Sequence, residues 1–245
     1  ECTLYVPDRI KEGFGPNIKA LQFLESTHSL IICVDCGTLS HQAIESLSAS
    51  DLIVLDHHLA SEILPKCYAV VNPNRQDELG DLSHLCAAAV VFLCLVEMRR
   101  LLRLNAAESP DLLNMLDLVA LATVADVAPL VGVNRAFVRQ GLKILAGRKR
   151  IGLAALSDQV KIDQELSTYH LGFLLGPRIN AGGRIGKPDL GAQLLIAQDL
   201  EAAKAMAERL DQLNFERREL EKQIKEAALE QAINQKSFDS LAWAA

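Results

Sequence analysis

Short apolar runs alternate with amphipathic segments in the first third of the chain. β-Branched apolar runs at residues 30–34, 52–55 and 70–71 predict three strands. Apolar residues at helical spacing predict helices over residues 17–28 and 39–48. This alternation is typical of βαβ units. We therefore predict an α/β fold with a mostly parallel sheet flanked by helices.

The rest of the chain has a helical pattern. Helices are predicted over residues 84–104, 110–126, 134–146, 151–156 and 189–235, with a Gly- and Pro-rich loop at residues 176–184. The last helix becomes strongly charged after Asn214. A polar helix of this kind is usually exposed or connects two domains.

Two of the predicted strands end in residues that commonly bind metals. Asp35 follows the first strand, and Asp56, His57 and His58 follow the second. The carboxyl ends of parallel strands form the ligand crevice of an open α/β sheet, so we expect these side chains to meet there. Carboxylate together with imidazole suits Mn²⁺ and related ions. An aspartate after a strand is also a common helix N-cap, and this alternative stays open.

Asp126 is a further carboxylate candidate. It follows the apolar run 118–124, and a carboxylate amid so much apolar surface must be paired, capped or bound to a metal. A capping aspartate is the simpler interpretation. Metal binding is favoured because Asp35 and His57 need another ligand.

Three arginines lie in predicted Gly- and Pro-containing loops, namely Arg9, Arg178 and Arg184. Loop arginines near a metal favour bidentate contacts with phosphate. A structural ion pair or a solvated charge is the alternative for each. The basic run 148–150 is predicted to be a solvated helix end rather than a nucleic-acid patch.

Composition narrows the possible functions. The net charge of −6 argues against a broad basic face for duplex DNA, although carboxylates gathered around metal ions leave a nucleic-acid enzyme open. Cys33 and Cys36 have CxxC spacing, but we predict that they point differently and form neither a zinc nor a redox site. We see neither a membrane-spanning apolar run nor a secretory leader, so we expect a cytoplasmic protein with reduced cysteines.

Five ordered segments resemble motifs of a known family. The DHH phosphoesterase superfamily has second, third and fourth motifs similar to VDCG at 34–37, LDHH at 55–58 and VADVAPL at 124–130. Two further segments, PDRIKEGFG at 7–15 and GPRINAGGR at 176–184, resemble motifs of its RecJ-type branch. The similarity runs over roughly residues 4–220. It implies a single-stranded-DNA-specific 5′→3′ exonuclease that acts in DNA repair and recombination by two-metal hydrolysis with Mn²⁺ or Mg²⁺.

The resemblance also implies a role for each matching residue. Asp35 would bridge two ions, and His57 and Asp126 would complete the shell of the second ion. Of the implied catalytic residues, Asp56 would orient the site, and His58 would contact the scissile phosphate or the leaving oxygen. Arg184 would hold the scissile phosphate and Arg9 the 5′ phosphate, and Asn180 and Arg178 are further implied substrate- or phosphate-binding residues. The implied partners are single-stranded DNA with a 5′ end, a single-strand-binding protein and a helicase, for a monomer that does not bind membranes.

The chain departs from the family at both ends. We find no counterpart of the family's first Asp-x-Asp motif, so we expect the first ion site to be incomplete. The predicted organisation is a catalytic core over 1–197 without its N-terminal strand, a connecting helix over 198–236 and an unmatched tail over 237–245. The family's C-terminal substrate-binding domain is not matched. We therefore expect a fragment with little or no exonuclease activity.

Two other functions remain open at this point. One is a DHH-family phosphodiesterase for oligoribonucleotides or cyclic dinucleotides. The other is a non-catalytic DHH-fold scaffold of a replication complex, which would be expected to lose metal ligands that this chain keeps at Asp35, His57 and Asp126. A plain α/β protein with capping aspartates does not account for five ordered motifs.

Overall fold

The fold was analysed in a computed structural model that describes residues 2–104 and 110–234. In chain order the elements are α1 (Ile18–Glu25), β1 (Leu30–Val34), α2 (His41–Glu45), β2 (Asp51–Leu55), β3 (Ala69–Val71), α3 (Ala87–Leu104), a 3₁₀ turn (Leu112–Met115), α4 (Leu116–Ala125), α5 (Gly132–Ala146), α6 (Ile151–Gln159), a π-helical segment (His170–Leu175), α7 (Gly176–Ile185), α8 (Leu190–Ile196) and α9 (Leu200–Asn234). The predicted α/β class is confirmed.

The three strands form one parallel sheet in the order β1-β2-β3. Leu30 lies opposite Asp51, and Ile53 lies opposite Ala69. Alternate residues of β1 and β2 point into a core shared with α1 and α2, to which Leu21 and Ile44 contribute. This register brings the carboxyl ends of all three strands to the same edge of the sheet.

A larger helical body follows the sheet. Its fully buried leucines are Leu153, Leu156, Leu171, Leu175, Leu194 and Leu210. The first half of α9 belongs to this body, because Ala203 and Ala207 are buried against the preceding helices. Beyond Asn214 the helix is mostly exposed, as its charge predicts. Residues 235–236 of the predicted connecting helix and the tail 237–245 lie outside the described residues.

The prediction of a loop at 176–184 is wrong, because this segment is α7. Its glycines permit close helix packing instead of breaking the helix. A Cβ atom on Gly176 would lie 3.1 Å from Ala125 Cβ on α4, and one on Gly182 would lie 3.2 Å from Leu210 Cδ2 on α9. Pro177 is the second residue of α7, directly after the π-helical segment.

Two further expectations are corrected. Arg150, predicted to be solvated, forms an ion pair of 2.8 Å with the buried Asp117. Cys33 and Cys36 do not point apart: the Cys36 thiol is near enough to raise the pKa of Cys33, and burial raises that pKa further. All six cysteines are free thiols. Within the described part of the chain, no helix is both long enough and apolar enough to cross a bilayer.

Candidate metal centre

The sheet places two aspartates side by side at its carboxyl edge. The Asp35 N–H donates to the Leu55 carbonyl (3.0 Å), and the Asp56 N–H donates to the Val71 carbonyl (3.0 Å). Both bonds extend the parallel ladder one residue past the strands. Asp35 then adopts a left-handed conformation, with φ of 61°, which aspartate tolerates better than most residues. The chain therefore leaves the sheet directly at this carboxylate.

His57 joins two carboxylates from distant parts of the chain. Its Nε2 atom lies 3.2 Å from Asp35 Oδ1 and 3.7 Å from Asp126 Oδ2. Ligands of an octahedral ion at about 2.1 Å are separated by about 3 Å, which is close to this spacing. The sequence prediction that Asp35, His57 and Asp126 meet agrees with this geometry.

The other nitrogen of His57 fixes the direction of the ring. Nδ1 lies 3.1 Å from the carbonyl oxygen of Leu85, which can only accept, so Nδ1 carries the proton. Nε2 then faces Asp35 and Asp126, and in the neutral ring its lone pair is available to a metal ion. A histidine that donates its second N–H to a carbonyl is the usual arrangement of a metal ligand.

His58 lies beside this cluster. One ligand atom from each of Asp35, His57 and His58 falls within 4.8 Å of the others. The Nδ1 atom of His58 lies 2.7 Å from Asp56 Oδ1, and this hydrogen bond raises the pKa of His58. Its side chain is more than half exposed. The Nδ1 side of His58 is thus held by Asp56, while the rest of the ring is accessible to a ligand from solvent.

Asp56 is the buried support of the site. Its Oδ2 accepts the backbone N–H and the hydroxyl of Thr38, and its Oδ1 accepts the N–H groups of His57 and His58. Burial raises the pKa of Asp56, but the hydrogen bonds from Thr38 and His58 outweigh burial and lower it to about 2. Asp56 is therefore ionised and fully engaged, as expected of an orienting group.

Asp126 caps the C-terminus of α4. Its N–H donates to Ala122, and the Ala128 N–H returns to the Thr123 carbonyl, which closes a Schellman-type end. Val127 takes the left-handed position with φ of 57°. This turn directs the Asp126 carboxylate toward His57. Asp126 is thus the C-cap residue of α4 through its backbone N–H, whereas its carboxylate faces His57.

An asparagine pair after β3 holds the histidine segment and was not predicted. Asn72 Nδ2 donates to Thr38 Oγ1 (2.9 Å) and to the His58 carbonyl (2.8 Å). Asn74 Nδ2 donates to the His57 carbonyl (2.6 Å). The signal in the sequence was an Asn-Pro-Asn turn directly after a strand, at the same sheet edge as Asp35 and Asp56.

Asn134 is a second support that the sequence did not reveal. It is fully buried on α5, and its Nδ2 donates to the carbonyls of His84 (2.7 Å) and Pro129 (3.0 Å). His84 precedes Leu85, the acceptor for His57, and Pro129 follows the Asp126 turn. One amide therefore ties together the backbones that position His57 and Asp126.

The predicted phosphate-binding residues fall into two groups. Asn180 and Arg184 lie on exposed positions of α7, and neither forms a hydrogen bond or ion pair with a described residue. Arg178 is instead paired with Asp211 on α9 at 2.7 Å and also donates to the Leu174 carbonyl. This is the structural ion pair that the sequence left open. The Arg9 guanidinium lies 5.0 Å from the centroid of the Phe14 ring, in the N-terminal loop.

The donor set of the site suits a hard or borderline divalent cation. Two carboxylates and one imidazole nitrogen converge, which is the mixture that Mn²⁺ accepts and that Mg²⁺ tolerates. Burial raises the pKa of Asp35, and the nearby His57 opposes that rise. Because Asp35 remains 62% exposed, a cation and a phosphate can both approach it from solvent.

Comparison with known proteins gives the same family at the level of sequence. The DHH family, N-terminal domain, matches residues 1–123. Single-stranded-DNA-specific exonuclease RecJ of Dickeya dadantii is 38% identical over 241 residues, which is 94% of this chain and 42% of that protein. RecJ of Bacillus subtilis is 35% identical and covers 99% of this chain, but only 30% of its own length is matched. The chain thus spans less than half the length of these relatives.

Solved structures show the same likeness in three dimensions. The crystal structure of an exonuclease RecJ bound to manganese matches 93% of this chain and 57% of its own chain, with a TM-score of 0.82 and 31% identity. RecJ of Thermus thermophilus in complex with Mn²⁺ matches 88% of this chain and 32% of its own, with a TM-score of 0.76 and 31% identity. The arrangement of sheet and helices is therefore shared with these nucleases.

Proposed function

Because the chain belongs to the DHH family, we propose that it serves as the metal-binding region of a single-stranded-DNA-specific 5′→3′ exonuclease. The observation that carries this proposal is the convergence of Asp35 and Asp126 on the Nε2 atom of His57. The RecJ relatives and the manganese-bound neighbour support the choice of substrate and ion. The role is hydrolysis of phosphodiester bonds in DNA repair and recombination.

Mn²⁺ or Mg²⁺ would be held by Asp35, His57 and Asp126. When bound, the ion supplies Lewis-acid stabilisation of phosphoryl oxygens. Asp35 would face a second ion on its exposed side, as the family resemblance implies. Further ligands for that ion are needed beyond the cluster described above.

The remaining residues act on the DNA itself. His58 is held by Asp56 through Nδ1, so its Nε2 can donate a hydrogen bond to the scissile phosphate. The raised pKa of His58 favours the protonated form that does so. Arg184 and Asn180, both exposed on α7, would bind phosphate oxygens.

Two of the predicted phosphate contacts have different support. Arg9 lies in the exposed N-terminal loop and would bind the 5′ phosphate while keeping its ring contact with Phe14. Arg178 would act indirectly, because its ion pair with Asp211 fixes α7 against α9. We therefore propose Arg178 as a positioning residue.

The cellular setting is proposed by the same reasoning. A single-strand-binding protein and a helicase would supply the single-stranded substrate, and the chain would act as a monomer in the cytoplasm. Six free thiols fit a reducing compartment.

Metal binding gives the first test. We expect Mn²⁺ to bind the 245-residue chain in isothermal titration, and His57→Ala to weaken that affinity at least about tenfold. His41→Ala is the matched control, because His41 lies on α2 outside the cluster. Equal Mn²⁺ affinity of the His57 variant and the unmodified chain would contradict the proposed centre.

Substrate preference gives the second test. With Mn²⁺ present, we compare a 5′-phosphorylated single-stranded DNA with the same sequence as duplex DNA, with RNA and with a cyclic dinucleotide. Binding is measured by fluorescence anisotropy alongside turnover, so that affinity for each substrate is obtained independently of the rate. Preference for RNA or for the cyclic dinucleotide would favour the other DHH phosphodiesterases. Absence of both Mn²⁺ binding and nucleotide binding would favour a non-catalytic scaffold.

A further inference from the structure

Two aromatic rings lie exposed and stacked at the start of the π-helical segment. The rings of Tyr169 and Phe173 are 5.2 Å apart between centroids and inclined by 25°. Tyr169 is 57% exposed and Phe173 is 70% exposed. Aromatic residues make up only 4% of the chain, so a stacked pair left on the surface is a specific feature. Neither ring contributes to the buried core described above.

The backbone beneath the rings is held rigidly. His170, between them, is buried, and its Nδ1 atom accepts the Ser167 N–H at 3.0 Å. Leu171 and Leu175 are completely buried. The π-helical turn itself is a rare conformation that is often found at functional sites. The two rings therefore project from a well-packed helical segment.

This helical segment lies against the end of α4, next to Asp126. A Cβ atom on Gly172 would lie 3.2 Å from Val124 Cγ1, and one on Gly176 would lie 3.1 Å from Ala125 Cβ. Val124 and Ala125 form the last turn of α4, and Asp126 caps it. Close packing through these glycines places the helical segment that carries the aromatic pair against the last turn of α4, which ends at Asp126.

The aromatic pair lies on the same side of the helix as two of the predicted phosphate-binding residues. Tyr169, Phe173, Asn180 and Arg184 are all exposed. Their spacings of four, seven and four residues are close to whole helical turns, so they lie along one side of the continuous π and α helix. The stripe has two rings at one end, and an amide and a guanidinium at the other.

We propose that the Tyr169–Phe173 pair is a nucleobase-binding platform for single-stranded DNA, with Asn180 and Arg184 contacting the backbone further along the same strand. This inference rests on the proposed function. Stacking on aromatic rings is the general way in which proteins bind unpaired bases without reading their sequence. The two rings offer flat apolar faces to the bases, and the Arg184 guanidinium further along the helix offers a charged group to a phosphate.

The platform would also contribute to discrimination against duplex DNA. A paired base is already stacked between its neighbours, and laying it on Phe173 would require it to leave the helix. An unpaired base has no such cost. We therefore expect the rings to affect single-stranded DNA and to leave duplex affinity unchanged.

The test measures binding of fluorescent 5′-phosphorylated DNA to the full 245-residue chain. The double variant Tyr169→Leu/Phe173→Leu keeps apolar bulk but removes the rings, and we expect it to weaken single-stranded binding about tenfold. The unmodified chain is also tested with a set of oligonucleotides that each carry one abasic site, at a different position along the strand. We expect its affinity to fall by a similar factor for the oligonucleotide in which the abasic site lies at the platform. The same abasic position should cause no further loss in the double variant.

Two controls separate this inference from the proposed function. Tyr68→Leu removes another exposed ring, which precedes β3 and lies away from the carboxyl edge, and should leave all affinities unchanged. Mn²⁺ affinity of the double variant should equal that of the unmodified chain. Unchanged single-stranded binding by this variant, with Mn²⁺ binding intact, would overturn the platform alone. That result would fit an aromatic pair that contacts another protein.

A second measurement uses only the unmodified chain and does not depend on a variant folding. Single-stranded DNA carrying 5-iododeoxyuridine is irradiated in the complex, and the crosslinked peptide is identified by mass spectrometry. We expect crosslinks at Tyr169 or Phe173 from the position found by the abasic scan. Crosslinks confined to other peptides, or no single-stranded DNA binding by a chain that binds Mn²⁺, would overturn the proposal.

Discussion

Asp56 holds His58 through a contact of 2.7 Å between Oδ1 and Nδ1, while its other oxygen accepts both the N–H and the hydroxyl of Thr38. The carboxylate is almost completely buried. A buried charge is stable only when its hydrogen bonds are satisfied, and here the donors come from the segments after β1 and β2. Asp56 therefore links the two loops that carry the metal ligands.

We expect Asp56→Asn to lower the free energy of unfolding by about 1.5 to 3 kcal/mol, the usual range for hydrogen bonds to a charged group. The amide would turn an N–H₂ group toward donors that already point at it. Urea denaturation measures the change. Asp51→Asn is the control, because Asp51 is exposed at the other end of β2, and equal effects of the two changes would contradict the buried role of Asp56.

Val127 adopts the left-handed conformation, although it is β-branched and 87% exposed. This conformation costs an L-residue about 1 to 2 kcal/mol, and glycine avoids that cost but loses about 0.5 to 1 kcal/mol in chain entropy. We expect Val127→Gly to raise the free energy of unfolding by about 0.5 to 1 kcal/mol, the difference between these two effects. Thermal and urea unfolding would both show it.

The matched control is Val96→Gly in the middle of α3, where the helix is regular and the valine is also exposed. This change should destabilise the chain, since glycine is a poor helix former. A loss of stability in the Val127 variant as well would mean that the turn after Asp126 is not strained. The two variants therefore have opposite expected signs.

The sequence predicts what is encoded locally. Strand ends at Asp35 and Asp56 follow from runs of a few β-branched residues, and their meeting follows from parallel pairing. The helix α7 was not predictable in this way, because Gly176 and Gly182 have the same local signature whether they break a helix or permit close packing. Only the neighbouring helices α4 and α9 decide between the two.

Side-chain partners that lie far apart in the sequence could not be predicted either, because they too depend on the tertiary fold. Asn134 bonds to a carbonyl 50 residues away, and Arg150 pairs with a carboxylate 33 residues away. At these separations no helical or strand periodicity links the two partners, so the sequence pattern does not pair them. A charged or amide side chain without a local partner therefore looks like a surface residue.

Asn134 is expected to tune the metal centre without touching a ligand. Asn134→Ala removes the amide that joins the His84 and Pro129 carbonyls. We expect Mn²⁺ affinity to fall about tenfold, as for other groups that orient metal ligands. Stability should fall by about 1 to 2 kcal/mol, because two carbonyls lose their donor. Isothermal titration and urea unfolding measure the two effects.

Arg135→Ala provides the comparison, since Arg135 is the next residue on α5 and is exposed. It should change neither Mn²⁺ affinity nor stability. An Asn134 variant that loses stability but keeps full Mn²⁺ affinity would show that the two carbonyls are not coupled to His57 and Asp126.

Arg150 and Asp117 form a bidentate ion pair, with Nε and Nη2 at 2.8 and 3.0 Å from the two carboxylate oxygens. Asp117 is buried, and Arg150 is 23% exposed. Removing one partner leaves the other charge uncompensated in a poorly hydrated position, so we expect Asp117→Ala to cost about 3 kcal/mol. Urea unfolding measures this loss.

The neighbouring pair of Arg148 and Asp158 is the control, because both side chains are largely exposed. Arg148→Ala should cost less than about 1 kcal/mol, since water screens such pairs. A double change of Asp117→Leu with Arg150→Met should be milder than the single Asp117→Ala, because no buried charge is then left alone. If the double variant instead loses more unfolding free energy than Asp117→Ala, the ion pair stabilises the fold by more than the cost of leaving one charge buried alone. The basic run 148–150 would then contribute net stability to the structure.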